Sequence, residues 1–321
     1  MSPGVFKAVH FIEIETSSKC SRKCTWCPTG LGLRPAGQRL MNWALFENIV
    51  HSLADDGYAG ELSLHGLNEP LENERLFEEY DLLRRVLGRA KLTCYTNGDS
   101  LDSEKLSRFA ELGLRRVRVT LHPARMEGVA TLGRAEKRMI SFLARLGVDL
   151  SDCSVLDGPS GTRRDFALGS MNVEVTQPHI TEHFTDRGGS VSSRLALQQD
   201  RRSPCDAALT AIAISYDGFL KMCCNVTPDS EDHAPYMMAD LNEMSLAAAY
   251  TSQRFRRWQA LHAEANWEES PICRTCRHRV SGEDYEPSTL GRSETHSSKT
   301  FIGALQSPPA GPEAHTAPMP G

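Results

Sequence analysis

No stretch of this 321-residue chain approaches the run of about 18 apolar residues that a membrane-spanning helix needs. The N-terminus, Met1 to Lys7, lacks the charged-then-apolar pattern of a secretory signal, so the expected location is the cytoplasm. Charge of one sign is also missing: 36 Lys and Arg stand against 41 Asp and Glu, a net charge of −5, with few basic clusters. A chain of that balance has no electrostatic footprint for nucleic acid. No internal repeat is present. Cysteine is not scarce. Ten of them in a reducing compartment point to metal ligands rather than disulfides. The length allows one large domain or two ordinary ones with ample core.

Three of the ten cysteines lie within eight residues, Cys20-Ser-Arg-Lys-Cys24-Thr-Trp-Cys27, just after an apolar run containing Val9, Phe11, Ile12 and Ile14. Four thiolates complete a tetrahedral zinc site or close an iron–sulfur cube. Three leave one iron of a cube without a protein ligand, and an open iron is where a small molecule can coordinate. A partial zinc site with a fourth ligand from elsewhere is the alternative.

Residues 9–180 alternate strand-like and helix-like segments. Strands are expected at 9–15, 61–65, 91–96, 116–121, 151–156 and 171–176. Helical spacing appears from Trp43 to Leu53, in the stripe Leu76, Tyr80, Leu83, Leu87, and around Ile140, Leu143 and Leu146. Ser103 is the expected N-cap of a helix carrying Leu106, Phe109 and Leu112. Such repeats build parallel βαβ units, with chemistry at the carboxyl ends of the strands. Near residue 185 the pattern changes. Leu209–Tyr216 and Gly218–Met222 read as two strands about an Asp217-Gly218 turn, and Leu246–Leu261 as one helix. Residues 287–321 hold six prolines and few large apolar side chains, so that tail is expected to be disordered.

The segment Cys20–Cys27 resembles the fingerprint of the radical S-adenosylmethionine (SAM) superfamily, CxxxCxxC after the first strand with an aromatic, here Trp26, before the last cysteine. The resemblance continues at three further places. His65-Gly66-Leu67-Asn68-Glu69-Pro70 stands where the family has Gly-x-Gly-Glu-Pro to receive the SAM amino group, with Asn68 replacing the second glycine. Thr96-Asn97-Gly98 closes a third strand, and Val117–Leu121 forms a fourth. The fold implied is an α/β partial (β/α)6 TIM-like barrel over residues 1–184. Cys20, Cys24 and Cys27 would hold a [4Fe-4S] cluster whose open iron chelates SAM, and reductive cleavage would give a 5′-deoxyadenosyl radical. Trp26, Gly66, Asn68, Glu69, Pro70, Asn97, Thr120 and Glu174 are the expected SAM contacts. An external reductant such as flavodoxin or ferredoxin is implied.

A second set, Cys205, Cys223, Cys273 and Cys276, reads without the barrel as a zinc ribbon. With the barrel it resembles the SPASM/twitch auxiliary module, met here by Cys205, Gly218 and Cys223. The four-cysteine twitch form would hold one auxiliary [4Fe-4S] cluster over residues 185–285, ahead of the tail at 286–321. Cys94 and Cys153 read as buried small hydrophobes. Cys224 directly follows a ligand. In an extended segment it points away from Cys223, where it could donate a hydrogen atom to a substrate radical or merely pack, and it could replace Cys223 as ligand. His65, His122, Gln177 and Arg187 are further candidates for contact with substrate or SAM, while Lys221 and Asp217 read as solvated.

A carbon radical beside a hydroxyl can lose a proton and an electron to become a ketone, and a nearby cluster can take the electron. The expectation is therefore oxidation of a secondary alcohol in a sugar, aminocyclitol or nucleoside of antibiotic-type metabolism, as in the twitch dehydrogenases of aminoglycoside biosynthesis. The alternatives are redox-neutral epimerisation with Cys224 as hydrogen donor, a radical decarboxylation or elimination, and a non-catalytic metal-binding protein. The first strand begins near residue 8, so a leader-peptide-binding domain is not expected and the substrate should be small.

Overall fold

The computed structural model describes residues 4–122, 132–158, 161–178 and 184–280. Its strands are β1 (Phe11–Ile14), β2 (Glu61–Ser63), β3 (Lys91–Thr96), β4 (Arg116–Thr120), β5 (Ser154–Gly158), β6 (Gly161–Leu168), β7 (Met171–Pro178), β8 (Ala211–Ile214), β9 (Phe219–Lys221) and β10 (Met237–Asp240). All belong to one sheet in the order β10-β9-β8-β1-β2-β3-β4-β7-β6-β5. The central six, β8-β1-β2-β3-β4-β7, are parallel. The expected six parallel strands are thus present, but their membership differs. The segment near 151–156 forms β5, which pairs antiparallel with β6, a strand the sequence did not announce because Gly161–Leu168 carries Arg163, Arg164 and Asp165. The sixth parallel strand is β8, which lies against β1. The second module therefore continues the barrel sheet, with β9 and β10 adding antiparallel to it. The expected tail at 286–321 lies outside the described residues.

Helices α1 (Trp43–Asp55), α2 (Leu76–Val86), α3 (Ser103–Glu111) and α4 (Leu132–Arg145) follow β1 to β4. Asn42 caps α1 through Oδ1, which accepts from the Leu45 N–H at 3.2 Å. Leu45, Phe46, Ile49, Val50 and Leu53 then form its buried face. The α3 cap is Asp102, one residue before the expected Ser103, because its carboxylate accepts from the Lys105 N–H at 2.8 Å. On α4 the inward face is Met139, Phe142 and Leu143, while Ile140 is exposed. Short α5 (Ala207–Thr210) precedes β8. The single helix expected over 246–261 is two, α6 (Leu246–Tyr250) and α7 (Gln253–Ala263), because Ser252 starts a new helix by accepting from the Phe255 N–H. Cys273 lies in α8 (Pro271–Arg274). Cys153 is half-buried just before β5 and not in a core strand. No helix among the described residues is long and apolar enough to cross a membrane.

Side chains alternate across a strand, and here the alternation separates an apolar core face from a polar one. Ile12, Ile14, Leu62, Leu64, Leu92, Cys94, Val117, Val119, Val173, Val175, Ile212 and Ile214 are buried in the hydrophobic core. The intervening positions of β1 to β4 and β7 carry Glu13, Ser63, Tyr95, Arg118, Thr120, Glu174 and Thr176. A parallel sheet covered on both faces normally reads as continuous apolar strands. These strands are polar on alternate positions, as the interior wall of an open barrel would be.

Candidate active site

The CxxxCxxC loop leaves the end of β1 and turns tightly on itself. Cys27 N–H donates to Cys24 O (3.1 Å) and Gly30 N–H to Cys27 O (3.0 Å). A Cβ on Gly30 would stand 2.0 Å from the Cys24 carbonyl oxygen, so only glycine lets the loop close. Trp26 is buried against Leu195, Cys24, Phe184 and Val191, with the His122 ring at 6.2 Å. It wedges the loop against the segment that leads to the second module. Arg22, inside the motif, pairs with Asp99 and donates to His122 O (2.8 Å), bolting the loop to the ends of β3 and β4.

The loop after β2 is stitched to the first one. Thr29 Oγ1 donates to Leu67 O (2.7 Å), and Glu69 N–H to Lys19 O (2.9 Å). Gly66 lies against Glu15, whose side chain a Cβ would meet at 2.9 Å. The Glu69 carboxylate accepts from Thr96 Oγ1 (2.5 Å), Asn97 N–H (2.7 Å) and Leu71 N–H (3.2 Å), the last at the turn that Pro70 begins. Burial pushes its carboxyl up to about 7 in spite of those bonds. Asn68 donates to Ser17 Oγ (3.5 Å), and its buried Oδ1 has no hydrogen-bond partner. Asn97 is buried beside it, its Nδ2 donating to Ser21 Oγ at 3.4 Å. A buried carboxylate and an orphaned amide oxygen beside the cysteine loop suit an ammonium group, which is what SAM would present. Cys20, Cys24, Cys27, Gly66, Asn68, Glu69, Pro70 and Asn97 are thus brought together. Thr120 ends β4, level with Thr176 on β7.

Glu174 is placed elsewhere. β7 runs on to Pro178, which leaves this residue in mid-strand and not at the strand end. Its oxygens are engaged by Arg118 (2.7 Å), Arg163 (3.2 Å) and Arg116 (3.7 Å). Gln177 is the residue nearer the strand end, buried with its Oε1 unpartnered. His65 stacks on Tyr95 at 4.4 Å. Burial, with Lys221 and Arg187 nearby, holds its imidazole neutral, down at about 3. Lys221 is not solvated. It is 1% exposed, with Nζ 3.4 Å from Glu13 Oε1 on the interior wall. Asp217 is exposed, as expected.

Glu15, Arg34 and Asp229 were not singled out from sequence. Glu15 is fully buried at the end of β1, accepting from Arg34 (2.8 Å) and from Leu67 N–H (2.8 Å). Arg34 also pairs with Asp229 (2.8 Å) and lies over the Tyr216 ring at 4.9 Å. These contacts join the cysteine loop to the chain beyond Cys223. Only the strand alternation of Glu13 and Glu15 among apolar neighbours hinted at them.

The second cysteine set converges from three directions: Cys205 before α5, Cys223 after β9, and Cys273 and Cys276 around α8. Burial first, and then Cys224 and the other three thiols of the set, hold the Cys223 thiol well above its usual range. Burial pushes Cys273 up to about 12. In the first set, burial pushes Cys20 up to about 12 and Cys24 to about 11. Crowded thiols of this kind ionise only when a cation takes their charge, the donor chemistry of a cluster site. Among the described residues no three such side chains close as tightly as a single ion demands. A cube places each thiolate on a different iron and spreads them further. The Cys276 sulfur accepts from His278 N–H (3.4 Å) and Asn225 Nδ2 (3.9 Å). Cys224 faces elsewhere: its Sγ is 3.7 Å from His278 Nε2, and it feels Glu13, Arg187 and Lys221. Burial pushes its thiol up to about 11. Arg187, at a φ of 52°, donates to Cys224 O (3.3 Å).

Both cysteine segments fall within spans matched by family models of known proteins. The family model of the Radical SAM superfamily matches residues 14–150, and that of an iron–sulfur cluster-binding domain, SPASM, matches residues 205–277. A SAM-dependent 2-deoxy-scyllo-inosamine dehydrogenase from Niallia circulans is 31% identical over 273 residues, 85% of this chain and 94% of that protein. Among solved structures, BtrN in complex with AdoMet and 2-DOIA superposes with a TM-score of 0.62 at 20% identity, covering 86% of this chain and 98% of that one. BtrN in an open conformation gives 0.55 at 18% identity, over 84% and 92%.

Proposed function

Since this chain belongs to the radical SAM superfamily, we propose that it is a SAM-dependent dehydrogenase oxidising a secondary alcohol of an aminocyclitol, of the 2-deoxy-scyllo-inosamine type, to a ketone. The observation that carries the reading is the run from Lys221 to Cys223. Lys221 lies on the interior wall against Glu13, and Cys223, two residues on, belongs to the second cysteine set. An electron acceptor held by that set would adjoin the substrate cavity.

When bound, SAM on the first [4Fe-4S] cluster supplies the hydrogen-abstracting radical, and an auxiliary [4Fe-4S] cluster supplies an electron acceptor. The first would be held by Cys20, Cys24 and Cys27, the second by Cys205, Cys223, Cys273 and Cys276. The chain's own residues do the rest. Glu69 and Asn68 bind and orient the SAM ammonium. The walls of β1 to β4 and β7 exclude water and present hydrogen-bonding groups to the hydroxyls. Losing a hydrogen atom from carbon and an electron leaves one proton on the hydroxyl oxygen. Glu13, buried beside Lys221, is the group we assign to receive it at its carboxylate. The partner for the first electron would be a flavodoxin or ferredoxin.

The test is anaerobic turnover of 2-deoxy-scyllo-inosamine deuterated at each carbinol carbon in turn. Deuterium should reach 5′-deoxyadenosine from one position only, with ketone formed there. Deuterium in 5′-deoxyadenosine from no position would sink the reading. One observation favours a second reading, epimerisation: Cys224 directly follows Cys223 with its Sγ 3.7 Å from His278 Nε2, and burial and then Glu13 push its thiol up to about 11, towards the protonated form that a hydrogen-atom donor needs.

A further inference from the structure

One buried imidazole stands against the second cysteine set without a part in binding substrate or SAM. His262 is the penultimate residue of α7 and is 2% exposed. Its Nε2 lies 3.4 Å from Cys273 Sγ, and its backbone oxygen accepts the Cys205 N–H at 3.1 Å. It therefore touches two of the four cysteines. Trp267 and Trp258 flank the ring at 5.4 and 6.3 Å.

The tautomer follows from the surroundings. Nδ1 is buried with no hydrogen-bond partner, so a proton placed there would be a buried donor without an acceptor. A ligating thiolate is an acceptor, which draws the proton to Nε2. Together with the His278 N–H and Asn225 Nδ2 on Cys276, the sulfur hydrogen bonds fall on the Cys273–Cys276 side of the cage. Reduction adds negative charge to a cluster and its sulfurs. Donors aimed at sulfur stabilise the reduced form more than the oxidised one and raise the potential.

We propose that His262 sets the reduction potential of the auxiliary cluster by donating Nε2–H to the Cys273 sulfur, and so makes that cluster the better electron acceptor. This rests on the reading that Cys205, Cys223, Cys273 and Cys276 hold a [4Fe-4S] cluster. His262 is a positioning residue. It touches neither substrate nor SAM, and its effect passes through a cluster ligand.

The experiment uses the full-length chain with Cys20, Cys24 and Cys27 changed to Ala, reconstituted anaerobically and titrated by electron paramagnetic resonance at controlled potential. His262→Leu removes the donor, while His262→Gln keeps one near the place of Nε2. At the parent's midpoint, His262→Leu should show a reduced-to-oxidised ratio about tenfold lower, a midpoint about 59 mV lower for one electron. His262→Gln should recover most of that shift. An unchanged midpoint in His262→Leu with its iron retained would overturn the proposal and leave the cluster reading intact. Loss of iron from both variants in a folded chain would overturn it too, because the imidazole would then be a ligand. A parent without iron would instead remove the four-cysteine reading on which the proposal stands.

Discussion

Replacing Arg34 with Met should destabilise the protein far more than a surface change would. The Arg34–Glu15 pair is 2.8 Å long, with side-chain exposures of 3% and 0%. Burial pushes the Glu15 carboxyl up, against the pull of Arg34 and Lys221. Without Arg34 that carboxylate keeps only the Leu67 N–H and the more distant Lys221, while Asp229 keeps the Tyr216 hydroxyl. Removing one partner of a buried pair costs about 3–5 kcal/mol. At about 2–4 °C per kcal/mol for chains of this size, the melting temperature should fall by about 6–20 °C. The assay is thermal unfolding of anaerobically reconstituted protein at neutral pH. The double variant Glu15→Gln with Arg34→Met should regain part of the loss, because neither charge is then left alone, with a coupling of about 0.5–3 kcal/mol. A loss within about 0.5 kcal/mol for Arg34→Met, the range of ordinary surface substitutions, would refute the reasoning.

Three further outcomes follow from the site. With the Glu69 carboxyl pushed up to about 7 by burial, the unliganded fold is most favourable to it below its unfolded value of about 4.3 and loses that stability as pH rises through 7. Binding the SAM ammonium needs the ionised form, so SAM affinity should be about tenfold weaker at pH 6 than well above pH 7; Glu69→Gln should bind weakly and show no such slope in equilibrium dialysis. Glu13→Gln should lower the ketone-forming kcat by about 10²–10⁴-fold, the usual contribution of a positioned proton acceptor, with SAM binding unmoved; an unchanged rate would remove Glu13 from the mechanism. Cys224→Ala should still make ketone if the enzyme is a dehydrogenase, whereas product loss with unpaired 5′-deoxyadenosine formation would favour the epimerase reading.

The parts of the site legible in sequence are those whose chemistry is local. CxxxCxxC, His65–Pro70 and Thr96–Gly98 are short segments at strand ends, and β1 to β4 lie where the apolar periodicity places them. What sequence missed depends on distant partners. Arg34 meets Asp229 across 195 residues, and Lys221 meets Glu13 across 208, so a lysine two residues before Cys223 looked solvated when it is buried. Likewise β6 is too rich in charge to announce itself as a strand. Arg163 pairs locally with Asp165, but Arg164 meets Asp157 and Arg163 meets Glu174 only once β5, β6 and β7 are side by side.

The most direct test of the oxidation itself is the stoichiometry of a single anaerobic reaction with the aminocyclitol, SAM and reductant. The account predicts 5′-deoxyadenosine and ketone in equal amounts, one SAM consumed per alcohol oxidised. Inversion at a carbinol carbon without ketone, or no 5′-deoxyadenosine at all, would contradict it.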